Sequence, residues 1–439
     1  MSAPKKILIV GGGFTGLTAA WRLSEDRNFS VTLIESSDQL GGLAAGFPLL
    51  GTSLEKTYHH LLLTDTCILK LVEQLGLTGK LMWCESSVGV YRDGRVYSFM
   101  SPLDLLRFKP CSLPGRLRFG LMALYLQKKK NWRGFATQTA EAWLTRACGS
   151  DVMRTIWTPL LKGKFDRYWN SVSMAWLWAR IHTRANSRPP GGSREKLGYF
   201  RGGFNVITSA LENEIRRRGV NIRTRATVEK FSGDGRTAII NGETVPFDFC
   251  VFTGSSPAFA GLLPAQESLK DYATRLRSIE YLGAVCLIFT SDQCLGDFYW
   301  VNVNEPDAPF LVFINHTRLV DRSFYGGKNV YYLGAYLAPD GKVFSLPDEE
   351  LAKLWFGCLK KMFPAFDAAR LGERHVFRFR AAQHIVDTGY EEKIPDYKTP
   401  LPGVFLSNFS QIFPEDRGTI FAVREGEKIA ALVRREAGE

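Results

Sequence analysis

An α/β fold is what this sequence predicts: a parallel sheet completed by a β-meander, interrupted in sequence by a second unit of mixed helix and strand. Three observations lead there. Residues 7–10 are a continuous apolar run that ends in Gly11, Gly13 and Gly16, and a helical pattern and a second apolar run at 31–35 follow, the order of a βαβ opening. Residues 220–249 alternate apolar with polar positions and are punctuated by Asp234-Gly235 and Asn241-Gly242, turn pairs that join short antiparallel strands. Near the C-terminus a strand pattern at 404–407 is followed by a turn through Pro414, Asp416, Arg417 and Gly418, then by a helix through Val423, Ile429, Ala430 and Leu432 that returns to the first unit.

Element by element, the first strand is buried on both faces, because nothing polar interrupts residues 7–10. The helix at 15–24 places Leu17, Ala20 and Trp21 on one side. Thr64 or Asp65 caps the next helix, which carries Ile68, Leu71, Val72 and Leu75 and stops at Gly76. Val206, Ile207, Ala210, Leu211 and Ile215 repeat that pattern. Arg216, Arg217 and Arg218 close its last turn, where cations complement the helix dipole. Alternation over 220–231 reads as one strand leading into the meander, and 250–253 is a short strand turning at Gly254. Runs at 284–289, 309–314 and 330–333 suggest an antiparallel sheet in the second unit. The division is residues 1–60, 195–260 and 396–439 for the first unit, and 61–194 and 261–395 for the second, substrate-binding one.

With 439 residues and 45% hydrophobic content, the chain can bury a large core. Its formal charge of +12 favours anionic partners, among which nucleic acid is the weakest because no recognisable binding module accompanies the charge. Eight cysteines without metal-ligand spacing read as reduced thiols of a cytosolic protein. No signal peptide or spanning helix is expected, since the apolar run after Lys5 and Lys6 is short and no stretch of about 18 uncharged apolar residues occurs. The histidines form no recognisable ligand cluster, so no metal is expected, and no Ser-His-Asp arrangement follows from spacing.

Gly11, Gly13 and Gly16 carry the chemistry most clearly. The first allows a tight bend, the second lets backbone approach a pyrophosphate, and the third packs helix on strand. Phe14 and Thr15 open a helix whose free N–H groups and positive end suit an anion. Glu35, about twenty residues further on and followed by Ser36, suits a ribose hydroxyl. Together they form a Rossmann-type dinucleotide fingerprint.

Beyond Glu35, the run Gly41, Gly42, Leu43, Ala44, Ala45, Gly46, Phe47 resembles the flavin amine oxidase superfamily, which includes protoporphyrinogen oxidase and phytoene desaturase and has UDP-galactopyranose mutase as a relative. The resemblance resumes at Gly202, Gly203 and Phe204 before a capped helix, at Val228, and at Ser407, Asn408, Gly418 and Thr419. It implies FAD, with Gly41 and Gly42 against the diphosphate, Val228 on the adenine side, and Gly418 and Thr419 at the flavin's pyrimidine edge. Thr253 and Gly254, which close the first nucleotide-binding segment, join that set. Leu43 stands where an Arg is frequent, so a charged phosphate contact is missing. Some members attach flavin to a C-terminal Cys; none follows Cys358 here, which implies non-covalent binding.

Tyr58, His59 and His60 fall where relatives approach the isoalloxazine, and His60, Leu62 and Thr64 are similar to a histidine stretch of the sugar mutases. Two readings stand for the histidines: proton carrier or flavin contact, and core-lining residues. His384 follows Ala382 and Gln383 where relatives carry Ala-x-Pro. Trp176 and Arg180, within the mixed aromatic and cationic segment 157–184, could bind a phosphorylated substrate, or the segment is a helix with a solvated basic face. Segment 103–133 interleaves leucines and aromatics with lysines and arginines; it lies on an anionic membrane or caps the substrate unit.

The leading expectation is an FAD-dependent oxidoreductase that takes a hydride equivalent from a small organic, lipophilic substrate. Such a protein is cytoplasmic or peripheral at the inner membrane face. The alternative is a reduced-flavin, non-redox mutase of a sugar nucleotide, and a third is a catalytically silent FAD-binding partner protein. A simple nicotinamide dehydrogenase needs none of the downstream segments.

Overall fold

The computed structural model describes residues 3–187 and 194–438. Residues 1–2 and 439 of the expected first unit and 188–193 of the second lie outside the described residues. A five-stranded sheet runs in the order Val404–Leu406, Phe249–Phe252, Lys5–Val10, Phe29–Ile34 and Asn221–Arg223, every neighbouring pair parallel. Ile7, Leu8 and Ile9 are almost wholly buried, as a strand covered on both faces must be. On one face the helix Phe14–Leu23 packs on Asn205–Arg217 and Thr419–Glu436. The approach is closest at Gly426, where a Cβ would meet the Thr15 carbonyl oxygen at 2.6 Å. On the other face, Leu8, Ile34 and Cys250 share an apolar cluster with Val228, Phe231 and Ala238 of the meander Val228–Phe231, Thr237–Ile240, Glu243–Pro246.

The alternation at 220–231 builds two strands rather than one. The chain turns out of the parallel sheet after Arg223, with Arg225 at φ 52°, and enters the meander at Val228. The detour is fixed by the Arg225 and Ala226 N–H groups, which donate to the Ser37 and Glu35 carbonyls at 2.8 and 2.9 Å. The arginine run behaves as local electrostatics dictates: Arg216 pairs with Glu212 at 2.7 Å and Arg217 with Glu214 at 2.8 Å, within the same helix.

Two expected caps are supplied differently. Asp65 stands at the N-cap of Thr66–Gln74, but its carboxylate accepts the Leu62 N–H at 2.9 Å instead of capping the helix. The helix Asn205–Arg217 has no side-chain cap of its own; the Phe204 N–H donates to the buried Glu55 carboxylate from the neighbouring strand Thr52–Glu55.

The second sheet has seven strands in the order Leu371–His384, Tyr281–Ser291, Asn329–Leu337, Val312–Asn315, Trp300–Val303, Val88–Arg92 and Arg95–Ser98. It is antiparallel except where Trp300–Val303 runs parallel to Val88–Arg92. The helix Asp348–Met362 buries Leu351, Trp355, Phe356 and Leu359 in the cluster on one face. Segment 157–184 is not one helix: Thr158–Phe165 stops at Asp166, which has φ 47°, and Met174–Asn186 starts anew behind the Ser173 cap. No helix among the described residues is long and apolar enough to cross a membrane.

Candidate functional site

The glycine turns meet. Gly41 N–H donates to the Gly12 carbonyl at 2.8 Å, and a Cβ on Gly42, itself at φ 56°, would lie 3.1 Å from Gly13 Cα. Gly11 is at φ 110° with Thr253 Oγ1 where a Cβ would go, and a Cβ on Gly16 would strike the Gly11 carbonyl oxygen at 1.9 Å. The Thr253 hydroxyl donates to the Val10 carbonyl at 2.9 Å, tying the turn to the next parallel strand. No side chain caps Phe14–Leu23, and its first turn holds no acid, so the N–H groups at Phe14 and Thr15 face a floor built by two glycine segments. That is a fit for a pyrophosphate.

Glu35 accepts from Gly12 N–H at 2.7 Å through one oxygen and from Ser37 N–H at 2.8 Å through the other, with the Ser36 hydroxyl at 3.2 Å. A carboxylate with about four lone-pair sites still has capacity for ribose hydroxyls. The 225–226 detour runs alongside residues 35–37 and delivers Val228 to the same end. Asn408 is engaged within the protein: Nδ2 donates to the Gly254 carbonyl at 2.7 Å while Oδ1 accepts from Ser410, so its amide ties the ends of two parallel strands together. Gly418 precedes Thr419–Glu436, again with no side-chain cap and no acid in the first turn.

Beside this cradle lies a charged chamber. Asp416 accepts from Trp176 Nε1 at 3.1 Å, is paired with Arg180, and meets Lys164 Nζ at 3.1 Å. Arg417 turns the other way and donates to the Tyr336 hydroxyl at 2.7 Å, and its buried Nε has no partner among the described residues. Burial alone would raise the Asp416 carboxyl; Lys164, Arg180 and Arg417 outweigh it and hold the group well below the usual carboxylate range. Burial likewise opposes ionisation of Tyr336, but Arg417 and Lys164 bring its phenol below its ordinary value.

Tyr58, His59 and His60 line the same space. Tyr58 lies edge-on to Trp300 at 5.1 Å. The His59 ring is bonded to the Thr57 carbonyl at 2.8 Å, and Thr57 in turn holds the Leu43 carbonyl at 2.8 Å. His60 sits 3.4 Å from the Tyr299 hydroxyl. All three keep part of their surface accessible. Yet burial, with Arg417 near the first imidazole and Arg184 near the second, pushes His59 down to about 4 and His60 to about 3. Both imidazoles are therefore neutral at pH 7, which removes the charge change near neutrality that would suit a proton carrier. His384 is buried and is also pushed down, to about 3, by burial.

The structure thus brings together residues 58–60 and Lys164, Trp176 and Arg180 of segment 157–184 with three groups that sequence patterns did not single out as a site: Tyr336, Asp416 and Arg417. The available signal was a charged pair directly ahead of a helix N-terminus. Trp176 is buried with its Nε1 on Asp416, whereas Arg180 pairs with Asp416 through Nη1 and keeps 39% of its side chain exposed. Among the described residues no group of His, Cys, Asp and Glu could hold a metal, and all eight cysteines are free.

Residues 14–410 match the family described as flavin containing amine oxidoreductase. Among curated proteins, the chain is 26% identical over 301 residues to a 4,4'-diapolycopen-4-al dehydrogenase of Metabacillus indicus, covering 60% of this chain and 58% of that one. It is 23% identical over 256 residues to a coproporphyrinogen III oxidase of Staphylococcus aureus (strain NCTC 8325 / PS 47), covering 51% and 54%. The matches span just over half the length of these relatives. Among solved structures, reduced UDP-galactopyranose mutase shares the fold with a TM-score of 0.77 at 16% identity, over 99% of this chain and 96% of that one.

Proposed function

The chain belongs to the flavin-containing amine oxidoreductase family, and from that premise we propose that it is an FAD-dependent oxidoreductase that removes a hydride equivalent from an organic, lipophilic substrate held in the chamber beside Tyr58, His59 and His60. The observation that carries this reading is the enclosed cluster of Lys164, Asp416, Arg417 and Tyr336 next to the helix start at Gly418. FAD, bound without a covalent link, supplies the two-electron acceptor.

The chain's own residues do the rest. The glycine floor and the open helix start at Phe14 would hold the diphosphate, and Glu35 the ribose. The uncapped helix start at Gly418 and Thr419 would hold the flavin's pyrimidine edge, where its dipole would favour negative charge. Tyr58 and Trp300 present aromatic surface to the chamber, backed by the buried Tyr299 and Tyr332, which suits an apolar substrate of the kind named for the Metabacillus indicus relative. Arg417 positions and acidifies the Tyr336 hydroxyl, the group best suited to receive the substrate's proton as the hydride leaves.

A substrate of this kind dissolves in bilayers, and the reading includes peripheral attachment to a membrane. The non-redox alternative uses Trp176 and Arg180 for a sugar nucleotide; burial of Trp176 with its Nε1 on Asp416 withdraws one of those two contacts and favours the redox reading. Anaerobic mixing with polyprenoid and porphyrinogen donors tests it: bleaching of the bound flavin supports the proposal. A flavin inert to every donor, in a protein that isomerises a sugar nucleotide only after dithionite, supports the mutase. Inertness in both assays supports the silent partner.

A further inference from the structure

The helix Leu113–Lys128 carries a face that nothing in the described chain covers. Leu113, Leu117, Leu121 and Leu124 recur at helical spacing and are 55%, 53%, 68% and 55% exposed. Leu103 and Leu106, in the preceding helix Pro102–Arg107, and Tyr125 extend the patch. Of the nine large hydrophobic side chains exposed among the described residues, seven lie between Leu103 and Tyr125, so the exposure is a local feature. A helix in a water-soluble domain turns such a stripe inward. Here the inward side is already occupied: Met122 and Leu126 are buried, and the Leu126 and Lys129 carbonyls meet His182 Nδ1 at 3.3 Å and Trp178 Nε1 at 3.0 Å.

The charges of the segment that carries the stripe are almost all basic, and the acid beside it, Asp151, is held by Ser112 at the helix start. Between residues 103 and 133 the sequence has eight lysines and arginines and a single acid, Asp104. That acid is consumed in the capping box that starts Pro102–Arg107. Arg107, Lys109, Arg118, Lys128, Lys130 and Arg133 are all exposed.

We propose that this face docks on an anionic lipid bilayer, with the leucines of Leu113–Lys128 among the acyl chains and the basic rim on headgroup phosphates. Charge complementarity selects this occupant, since a second copy would bring two basic rims together, an arrangement that opposes association. The helix Met174–Asn186 links the face to the chamber. Trp178 and His182 point toward the leucine helix, while Trp176 and Arg180, two positions away and so on its opposite side, reach Asp416. One helix therefore separates the lipid-facing element from the charged cluster, a short path for a substrate dissolved in the bilayer. The docking extends the oxidoreductase reading but does not depend on its chemistry.

The test is flotation of the full-length, flavin-loaded protein with vesicles of phosphatidylcholine containing phosphatidylglycerol, against phosphatidylcholine alone, at low and high salt. The protein is expected to float with the anionic vesicles, less at high salt. The exposed double variants Leu121→Glu/Leu124→Glu and Lys128→Glu/Lys130→Glu are each expected to weaken binding by about tenfold or more, with flavin spectrum and melting temperature unchanged. Absence of flotation, equal flotation of the variants, or a dimer in solution that the leucine variant dissolves and that ignores vesicles would overturn the proposal. A protein that floats and is never bleached retires the catalytic reading alone; one that is bleached and never floats retires only the docking.

Discussion

Glu55 shows how far a single buried side chain can steer both stability and the site. Its carboxylate accepts from the Phe204 N–H and, at 2.7 Å, from the Tyr199 hydroxyl, which anchors the turn at Gly202 and Gly203. Burial raises it to about 7, against about 4.3 in an unfolded chain. Because the folded form binds the proton more tightly, the associated stability is complete below about pH 4.3 and is lost as pH rises toward about 7. Chemical denaturation between pH 5 and pH 8 should show that decline, and Glu55→Gln should flatten it. Glu55→Ala should cost about 1–3 kcal/mol by leaving the two donors unpaired. At the other end of the site, Tyr336→Phe should remove the rising limb of the kcat/KM profile and lower its plateau by about a hundredfold or more. Arg417→Met should move that limb to higher pH, since the guanidinium is what depresses the phenol. The histidines illustrate the limit of sequence at this scale: the His59-His60 pair is visible, but the depth of burial that keeps both neutral is a property of the assembled walls.

Among elements, the two glycine turns were legible because each position has a local steric reason that spacing records. Their mutual contact was not, since nothing in the residues around Gly13 says that Gly42 will lie against it. That contact yields a prediction: Gly42→Ala forces a side chain into a left-handed backbone conformation against Gly13, and should cost about 1 kcal/mol or more. The loss should register as lower flavin content per chain by visible absorbance, with the far-UV spectrum retained. The same distinction explains the region after Gly219. Alternation marks strand-forming residues correctly, but only the hydrogen bonds from Arg225 and Ala226 to residues 35–37 split the run between two sheets. Segment 157–184 failed to read as two helices for a related reason, because Asp166 adopts its positive φ without a glycine to announce it.

For the whole molecule, the parallel sheet and the meander were readable from three stretches of sequence because each carries its own periodicity. The seven-stranded sheet was readable only in its centre: Val88–Arg92 and Arg95–Ser98 join it from far upstream, through a parallel pair that no local pattern encodes. The charged chamber is the most assembled feature, drawing on residues 58–60, 164, 176–184, 336 and 416–417. Its members become a site only when the two sheets and the helical layer close around them. Whether this chamber takes hydride equivalents from a lipophilic substrate, as proposed, is tested most directly by anaerobic spectroscopic titration of the flavin-loaded protein with a panel of polyprenoid, porphyrinogen and sugar-nucleotide compounds. Bleaching by a lipophilic donor is expected, with one substrate consumed per flavin and the response slowed in Tyr336→Phe. A flavin that stays oxidised with every lipophilic donor, in a protein that isomerises a sugar nucleotide after chemical reduction, would contradict the proposal.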